Sequence, residues 1–501
     1  MSLPLPSNFV SCPGLFYPTS ARDGILSRIR IPGGIITSQQ LRAIANLADK
    51  FGNGSINITN RANIQLREIT RDIPADVLAL LQEIGLAARL PELDHLRNIM
   101  GSPTAGIDHS ELIDTRPLMR ELEYQMMAHA DLVELSPKFS VCFDGGGSVS
   151  VATQANDIAL IAVFIAGEVY FRLKLRVNAD MDASYPFLDT GVILKPEESV
   201  SVVVGLAKVY LQNLLKNKSQ NQSSISLNLY RKSHQPRLRD ILDELGVAQF
   251  IQEVEFYLNR RLRRISLENN QDFQNHQTHQ NHYLHLDIHH QKQKGFAYIG
   301  IVTPLGKLET KQIYELANIA QTHGDGTLRL TPWQNLIISD IPIQYIQEVS
   351  SKIRHLKLDY SVNNIYSALV ACTGNAGCAS SATDTKSHAV LLAEYLNRRI
   401  TLPTPVNIHF TGCPKSCAQA AKGDITLLGM IREQEGGYQV YLGKGDNRFG
   451  RMIYDFLPFV EIPALLEKIL LVYMAKSTYL NESFADFVNR YSLKQLQSMF
   501  E

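Results

Sequence analysis

GIITSQQLRAIANLADKFGNGSINITNRANIQLREI (residues 34–69) and GKLETKQIYELANIAQTHGDGTLRLTPWQNLIISDI (residues 306–341) decide the fold, because they are two copies of one pattern. They align without a gap at a spacing of 272 residues. Ten of 36 positions are identical, including Gly34/Gly306, Gly52/Gly324, Gly54/Gly326, Thr59/Thr331 and Asn63/Asn335. Ordinary residue usage would give roughly two or three. Leu41, Ile44, Ala45 and Ala48 sit at helical spacing, as do Ile313, Leu316, Ala317 and Ala320. A Gly-x-Gly turn follows in each copy, then an alternating segment (Ile56 and Ile58; Leu328 and Leu330) that reads as a half-buried strand. Each copy is therefore strand–helix–strand, and the chain is a pseudo-dimer.

Outward from the repeat, each copy leads into a longer α/β segment. FSVCFDGGGSVSVAT (residues 139–153) predicts two strands around Gly145–Gly147. NIHFTGCPKSC, DITLLGMI and GGYQVYLGK predict strands in the second half, with helical patterns at Ser387–Arg398 and Ile462–Ala475. Residues 269–292 hold six of the 14 histidines and read as a polar linker between the halves.

The chain has 501 residues, enough for about three domains. Its formal net charge is zero, which gives no reason to expect a nucleic-acid partner. No apolar run is long enough to span a bilayer; the best, Ile469–Ala475, is short and flanked by lysines. The N-terminus lacks a basic segment followed by an apolar core, so the expected setting is cytoplasmic, with no membrane partner.

Four of the six cysteines fall within 46 residues: Cys372–x5–Cys378 in ACTGNAGCAS and Cys413–x3–Cys417 in TGCPKSCAQ. A cubane cluster needs four thiolates converging on one small volume, and two loops each carrying a close pair meet that demand. Zinc prefers two to four intervening residues, so the x5 pair fits it poorly. Small residues (Gly374, Ala376, Gly377, Gly412, Ser416) leave room for backbone to wrap a cluster. Cys142 reads as core and Cys12 as structural.

The two cysteine pairs resemble those of the assimilatory nitrite and sulfite reductases. SRIRIPGG, ITNRANIQLR, LRNIMGSPTAGID, LSPKFSV and SFADFVNRYS resemble further motifs of that family, with Ala62 and Ala485 replacing its Gln and Gly. The resemblance implies an internally duplicated α/β (α+β) fold. Two ferredoxin-like half-repeats (15–85 and 295–352) form a joint domain, joined by two larger α/β domains (90–232 and 360–495) and a helix-plus-linker segment (233–294). It implies a 4Fe–4S cluster on Cys372, Cys378, Cys413 and Cys417, with Cys417 bridging to siroheme iron. Arg28, Arg97 and Lys138 would form the catalytic cationic cluster, and Arg61 and Arg67 would bind the tetrapyrrole, with Arg30 and Lys415 as further cations.

SCPGLFYP, PKFSVCFDGGG, RLTPW and the Asp384-Thr385-Lys386 run resemble the precorrin-3B synthase branch, and so does the short N-terminus. That branch implies an oxygen-dependent monooxygenase of cobalamin biosynthesis. It would take precorrin-3A and O2, hydroxylate C20 and close a γ-lactone, with a mononuclear iron besides the cluster. The alternative is a reductase of nitrite or sulfite that uses siroheme and an electron donor such as ferredoxin. Ser140, in place of a second lysine, argues against sulfite.

Overall fold

The computed structural model describes residues 13–178, 187–221, 236–265, 283–443, 445, 447–478 and 482–500. Cys12 and the histidines of 266–282 lie outside them.

Each repeat builds a helix, Ser38–Phe51 or Thr310–His323, at the expected place. Thr37 Oγ1 accepts from the Gln40 amide at 3.2 Å, and Gln40 Oε1 accepts from the Thr37 amide at 2.9 Å, which satisfies two donors the helix start leaves open. Gln312 Oε1 accepts from the Glu309 amide in the same way, at 3.0 Å. Both helices end at the Gly-x-Gly turns, where the amides of Gly54 and Gly326 bond back to Ala48 and Ala320.

The two copies exchange strands. Thr19–Ala21, Gly24–Ile29, Ile64–Ile69 and Ser55–Ile58 form an antiparallel sheet whose last strand is Lys307–Glu309, from the other copy. Reciprocally, Asp287–His290, Phe296–Ile301, Leu336–Pro342 and Thr327–Leu330 end on Ile35–Thr37. The amide of Ser38 bonds to Gly326 O and that of Thr310 to Gly54 O, each at 2.9 Å. Gly34 and Gly306 permit this crossing. Both have positive φ (71° and 69°), and a Cβ on either would lie 2.7 Å from a carbonyl of the other copy, Leu330 O or Ile58 O. Leu41, Ile44, Ile56 and Ile58 share one core with Ile313, Leu316, Leu328 and Leu330. Each such burial contributes about 1.5–3 kcal/mol, so neither copy keeps its core alone.

Two further five-stranded sheets have one topology. Ile99–Gly101, Val141–Asp144 and Ile158–Ile165 run parallel, and Glu168–Arg176 and Phe187–Leu194 complete the sheet antiparallel. Leu369–Ala371, Ile408–Thr411, Ile425–Arg432, Glu435–Leu442 and Arg451–Pro458 repeat that order. The expected helices are present as Thr385–Asn397 and Ile462–Lys476. This is the duplicated α/β architecture the repeat predicts. No helix among the described residues is long and apolar enough to cross a membrane.

Two local expectations are corrected. Residues after Asp144 form a loop, not a second strand. The Asp108 carboxylate takes the amides of Ser148 and Val149, and Asp144 takes those of Val151 and Ala152, so they are not available to a strand neighbour. The end of the supposed linker is also ordered structure. Asp287–His290 is a strand paired with Phe296–Ile301, and His285 and Gln291 are buried.

Candidate functional site: a four-cysteine cleft between the halves

Leu369–Ala371 and Ile408–Thr411 are parallel neighbours, so their C-terminal ends deliver Cys372 and Cys413 to the same edge of the sheet. The Cys372 amide bonds to Phe410 O at 3.1 Å, and the Gly412 amide points at Cys372 Sγ, 3.2 Å away. Thr385 Oγ1 lies 3.3 Å from the same sulfur. A turn closed by the Cys378 amide on Gly374 O (2.9 Å) returns the second thiol of that loop. Gly412 has no room for a side chain, since a Cβ would sit 1.6 Å from Ser381 Oγ.

All four cysteines line one cavity of about 290 Å³. Among the described residues, no three His, Cys, Asp or Glu side chains close on a point that one metal ion could occupy. The four cysteines share the wall of one open space instead. Burial in the cleft, and then the neighbouring Cys413, Cys372 and Cys378, push the Cys417 thiol above its ordinary range. A cationic iron–sulfide core bound among four thiolates would offset the mutual repulsion that raises Cys417. Cys417 is the most solvent-exposed of the four.

The facing wall comes from the first repeat, including Arg28, Asn57, Asn60, Gln65 and Arg67. Asn60 Nδ2 donates to Cys417 O and Ala418 O at 3.2 and 3.0 Å, fastening the second cysteine loop to the other half. Arg67 fastens the first. Its fork is taken by Asp23 at 2.7 and 2.8 Å, and Nη2 also donates to Gly377 O. Arg67 thus lines the cleft with its charge already matched. An adjoining cavity of about 370 Å³ shares Asn60, Gln334 and Ala418 and is lined by Arg61, His285, Trp333 and Lys422. Arg61 and its repeat counterpart Trp333 therefore face one space. Trp333 stacks on His285 with ring centroids 4.4 Å apart.

Arg61 Nη1 donates to Asn156 Oδ1 at 2.8 Å. Burial lowers its pKa to about 10; Asp157 opposes that, and Arg237, Arg176 and Arg28 add to it. Arg176 and Arg237 belong to this cationic group and carry no motif that would have flagged them.

The expected trio of Arg28, Arg97 and Lys138 is not assembled. Arg97 is buried against Glu123 (2.7 Å), Gly85 O (2.7 Å) and Asp94 (3.5 Å), and lines a separate cavity of about 170 Å³. A buried guanidinium takes the nearest carboxylates, and the turn Pro91–Arg97 supplies one of them. Arg30 goes the same way, to Asp94 at 3.1 Å. Lys138 is exposed and lines none of these cavities. Lys415 is exposed and donates to Ser380 Oγ. Cys142 is core, as expected, with burial raising its thiol pKa.

The nitrite and sulphite reductase 4Fe-4S domain matches residues 92–262 and 363–501, and the nitrite/sulfite reductase ferredoxin-like half domain matches 18–84 and 289–356. A ferredoxin–nitrite reductase of Synechococcus elongatus is 30% identical over 474 residues, 91% of this chain and 88% of that protein. The chloroplastic ferredoxin–nitrite reductase of Arabidopsis thaliana is also 30% identical, over 91% of this chain and 78% of that one. The Mycobacterium tuberculosis NirA structure shares the fold, with a TM-score of 0.75 at 22% identity over 94% of this chain and 84% of that one. These relatives overturn the expected precorrin-3B synthase and its monooxygenase chemistry on precorrin-3A. With that reading goes the reason for a separate mononuclear iron. Matched by both domain types in both halves, the chain belongs to the nitrite/sulfite reductase family.

Proposed function

We propose that this chain is a ferredoxin-dependent nitrite reductase that holds a 4Fe–4S cluster on Cys372, Cys378, Cys413 and Cys417 and a siroheme in the adjoining cleft. The carrying observation is the ring of four cysteines opening onto a cleft whose other wall bears Arg28 and Arg61. The cluster and macrocycle, when bound, supply the electrons and the iron at which a small anion is reduced.

The chain's own residues do the rest. Asn60 and Arg67 lock both cysteine loops against the first repeat, which fixes the distance between cluster and cleft. Cys417, exposed and lining the cleft, would be the thiol that meets the macrocycle. Arg28 and Arg61 supply positive potential in a partly desolvated space, where it acts on an anion more strongly than in water. Nitrite is favoured over sulfite by the names of the relatives and by Ser140. That side chain is buried and donates to Asp157 at 3.1 Å, so it offers no second cation.

The test is turnover by anaerobically purified protein with chemically reduced ferredoxin. The expected result is steady nitrite consumption, with sulfite much slower. Protein with full cluster and macrocycle that leaves nitrite untouched would overturn the assignment.

A further inference from the structure

Lys386 opens the helix Thr385–Asn397 beside the cysteine loop, and its side chain lines the same cavity as the four cysteines and Arg28. Nζ donates to Asn57 Oδ1 at 2.5 Å, and among the described residues it forms no ion pair. Asp384, the adjacent carboxylate, instead caps the helix by accepting from the Ser387 amide at 3.3 Å. The first half shows the alternative. There the same Asp–Thr–basic run is Asp114-Thr115-Arg116, and Arg116 is held by Asp114 at 2.8, 2.9 and 3.1 Å. One copy neutralises its cation; the other leaves it open to the cleft.

We infer that Lys386 is a ligand-recognising residue whose ammonium, in the cavity that Arg28 also lines, takes a peripheral carboxylate of the tetrapyrrole. The inference rests on the proposed tetrapyrrole site and assigns a ligand-binding role to Lys386, whose Asp-Thr-Lys run carried only a branch resemblance in the sequence. The energetics support it. Burial, and then Arg67 and Lys307, lower the Lys386 pKa to about 8 against the opposing Cys372 and Asp23. A half-buried ammonium among cations is costly to hold charged until an anion arrives. A carboxylate hydrogen-bonded to it gains a charge-assisted contact that Asn57 alone does not provide.

The experiment compares wild type, Lys386→Met and Lys386→Arg, each purified with its cluster. Inorganic sulfide reports the cluster, and macrocycle absorbance per chain is followed through desalting at low and high salt. Lys386→Met should keep wild-type sulfide yet lose macrocycle about 10-fold more readily, and Lys386→Arg should restore retention. Equal retention by Lys386→Met overturns the inference and leaves the proposed function standing. If Lys386→Met lacks sulfide, Lys386→Gln, which can still bond Asn57, takes its place. If wild type carries no macrocycle, the proposed function fails by itself. Lys386 is then tested with added uroporphyrin III, an octacarboxylate macrocycle. Its binding is read from quenching of Trp333, the only tryptophan in the chain. About 10-fold weaker binding by Lys386→Met sustains the inference; equal affinity, or no binding by wild type, sinks it.

Discussion

Cys372 and Ser102 each stand one residue beyond a short parallel strand, and Cys378 and Asp108 follow six residues later. Counted from the next strands, Cys413 and Cys417 correspond to Gly146 and Ser150. The second half leaves its sulfurs around an open cavity. The first half fills the equivalent loops with internal hydrogen bonds. Asp108 accepts from the amides of Ser110 (2.8 Å) and Ser148 (2.7 Å), and Asp144 from Ser150 Oγ and the Val151 amide, both 2.7 Å. The facing wall differs in kind as well. Where the cleft has Asn57, the first-half site has Arg329, which is 1% exposed and donates to Pro103 O and Ala105 O at 3.1 and 2.7 Å. One duplicated scaffold thus has two outcomes: a loop pair whose cysteines line an open cavity, and one held by carboxylates and plugged by an arginine.

The contrast breaks most visibly at the cysteines. Cys413→Ser should bring iron, sulfide and nitrite turnover to background, because a 4Fe–4S core needs its full set of thiolates. Next comes the plug. Arg329→Ala strands two buried carbonyls and should cost about 3 kcal/mol in denaturant unfolding, while folded protein keeps its cluster. Asp108→Asn weakens a charge-assisted amide network and should cost about 2 kcal/mol, again without loss of iron. Loss of the cluster in either variant would show that the halves are not separable in this way.

The smallest effect is one of pH. His409 and Cys142 occupy equivalent strand positions, and both are buried. Burial, and then Arg448, lower the His409 pKa to about 3. An unfolded histidine titrates near 6.5. Between those values the unfolded chain binds more protons, so this contribution is full above pH 6.5 and drains as pH falls. Unfolding at pH 7 and 5 should therefore differ by about 1.9 kcal/mol more in wild type than in His409→Cys. An unchanged pH dependence would contradict a neutral buried imidazole.

The duplication was legible because it is written in glycines and aliphatic spacing, as at Gly34/Gly306 and Ile56/Leu328. The cysteine site was legible because two loops from adjacent parallel strands keep their sulfur spacing in the sequence. The fate of single arginines was not. Arg97 and Arg28 sit in comparable motifs, but only the fold brings Glu123 and Asp94 to one of them. His285 was hidden in a polar stretch that looks like a linker until Trp333 stacks on it. The branch was misread because its motifs carry architecture. PKFSVCFDGGG contains the strand and the amide-gathering loop around Asp144, and RLTPW contains the plug Arg329 and the cavity wall Trp333. Such features report the scaffold and do not separate one chemistry on it from another.

The most direct test of one cluster and one macrocycle sharing the cleft is combined iron, sulfide and visible-absorption analysis of anaerobically purified protein. This account predicts a full 4Fe–4S complement, one iron in excess of sulfide per chain, and tetrapyrrole bands in the same sample. Iron equal to sulfide with no tetrapyrrole absorption, in cells that make siroheme, would contradict it.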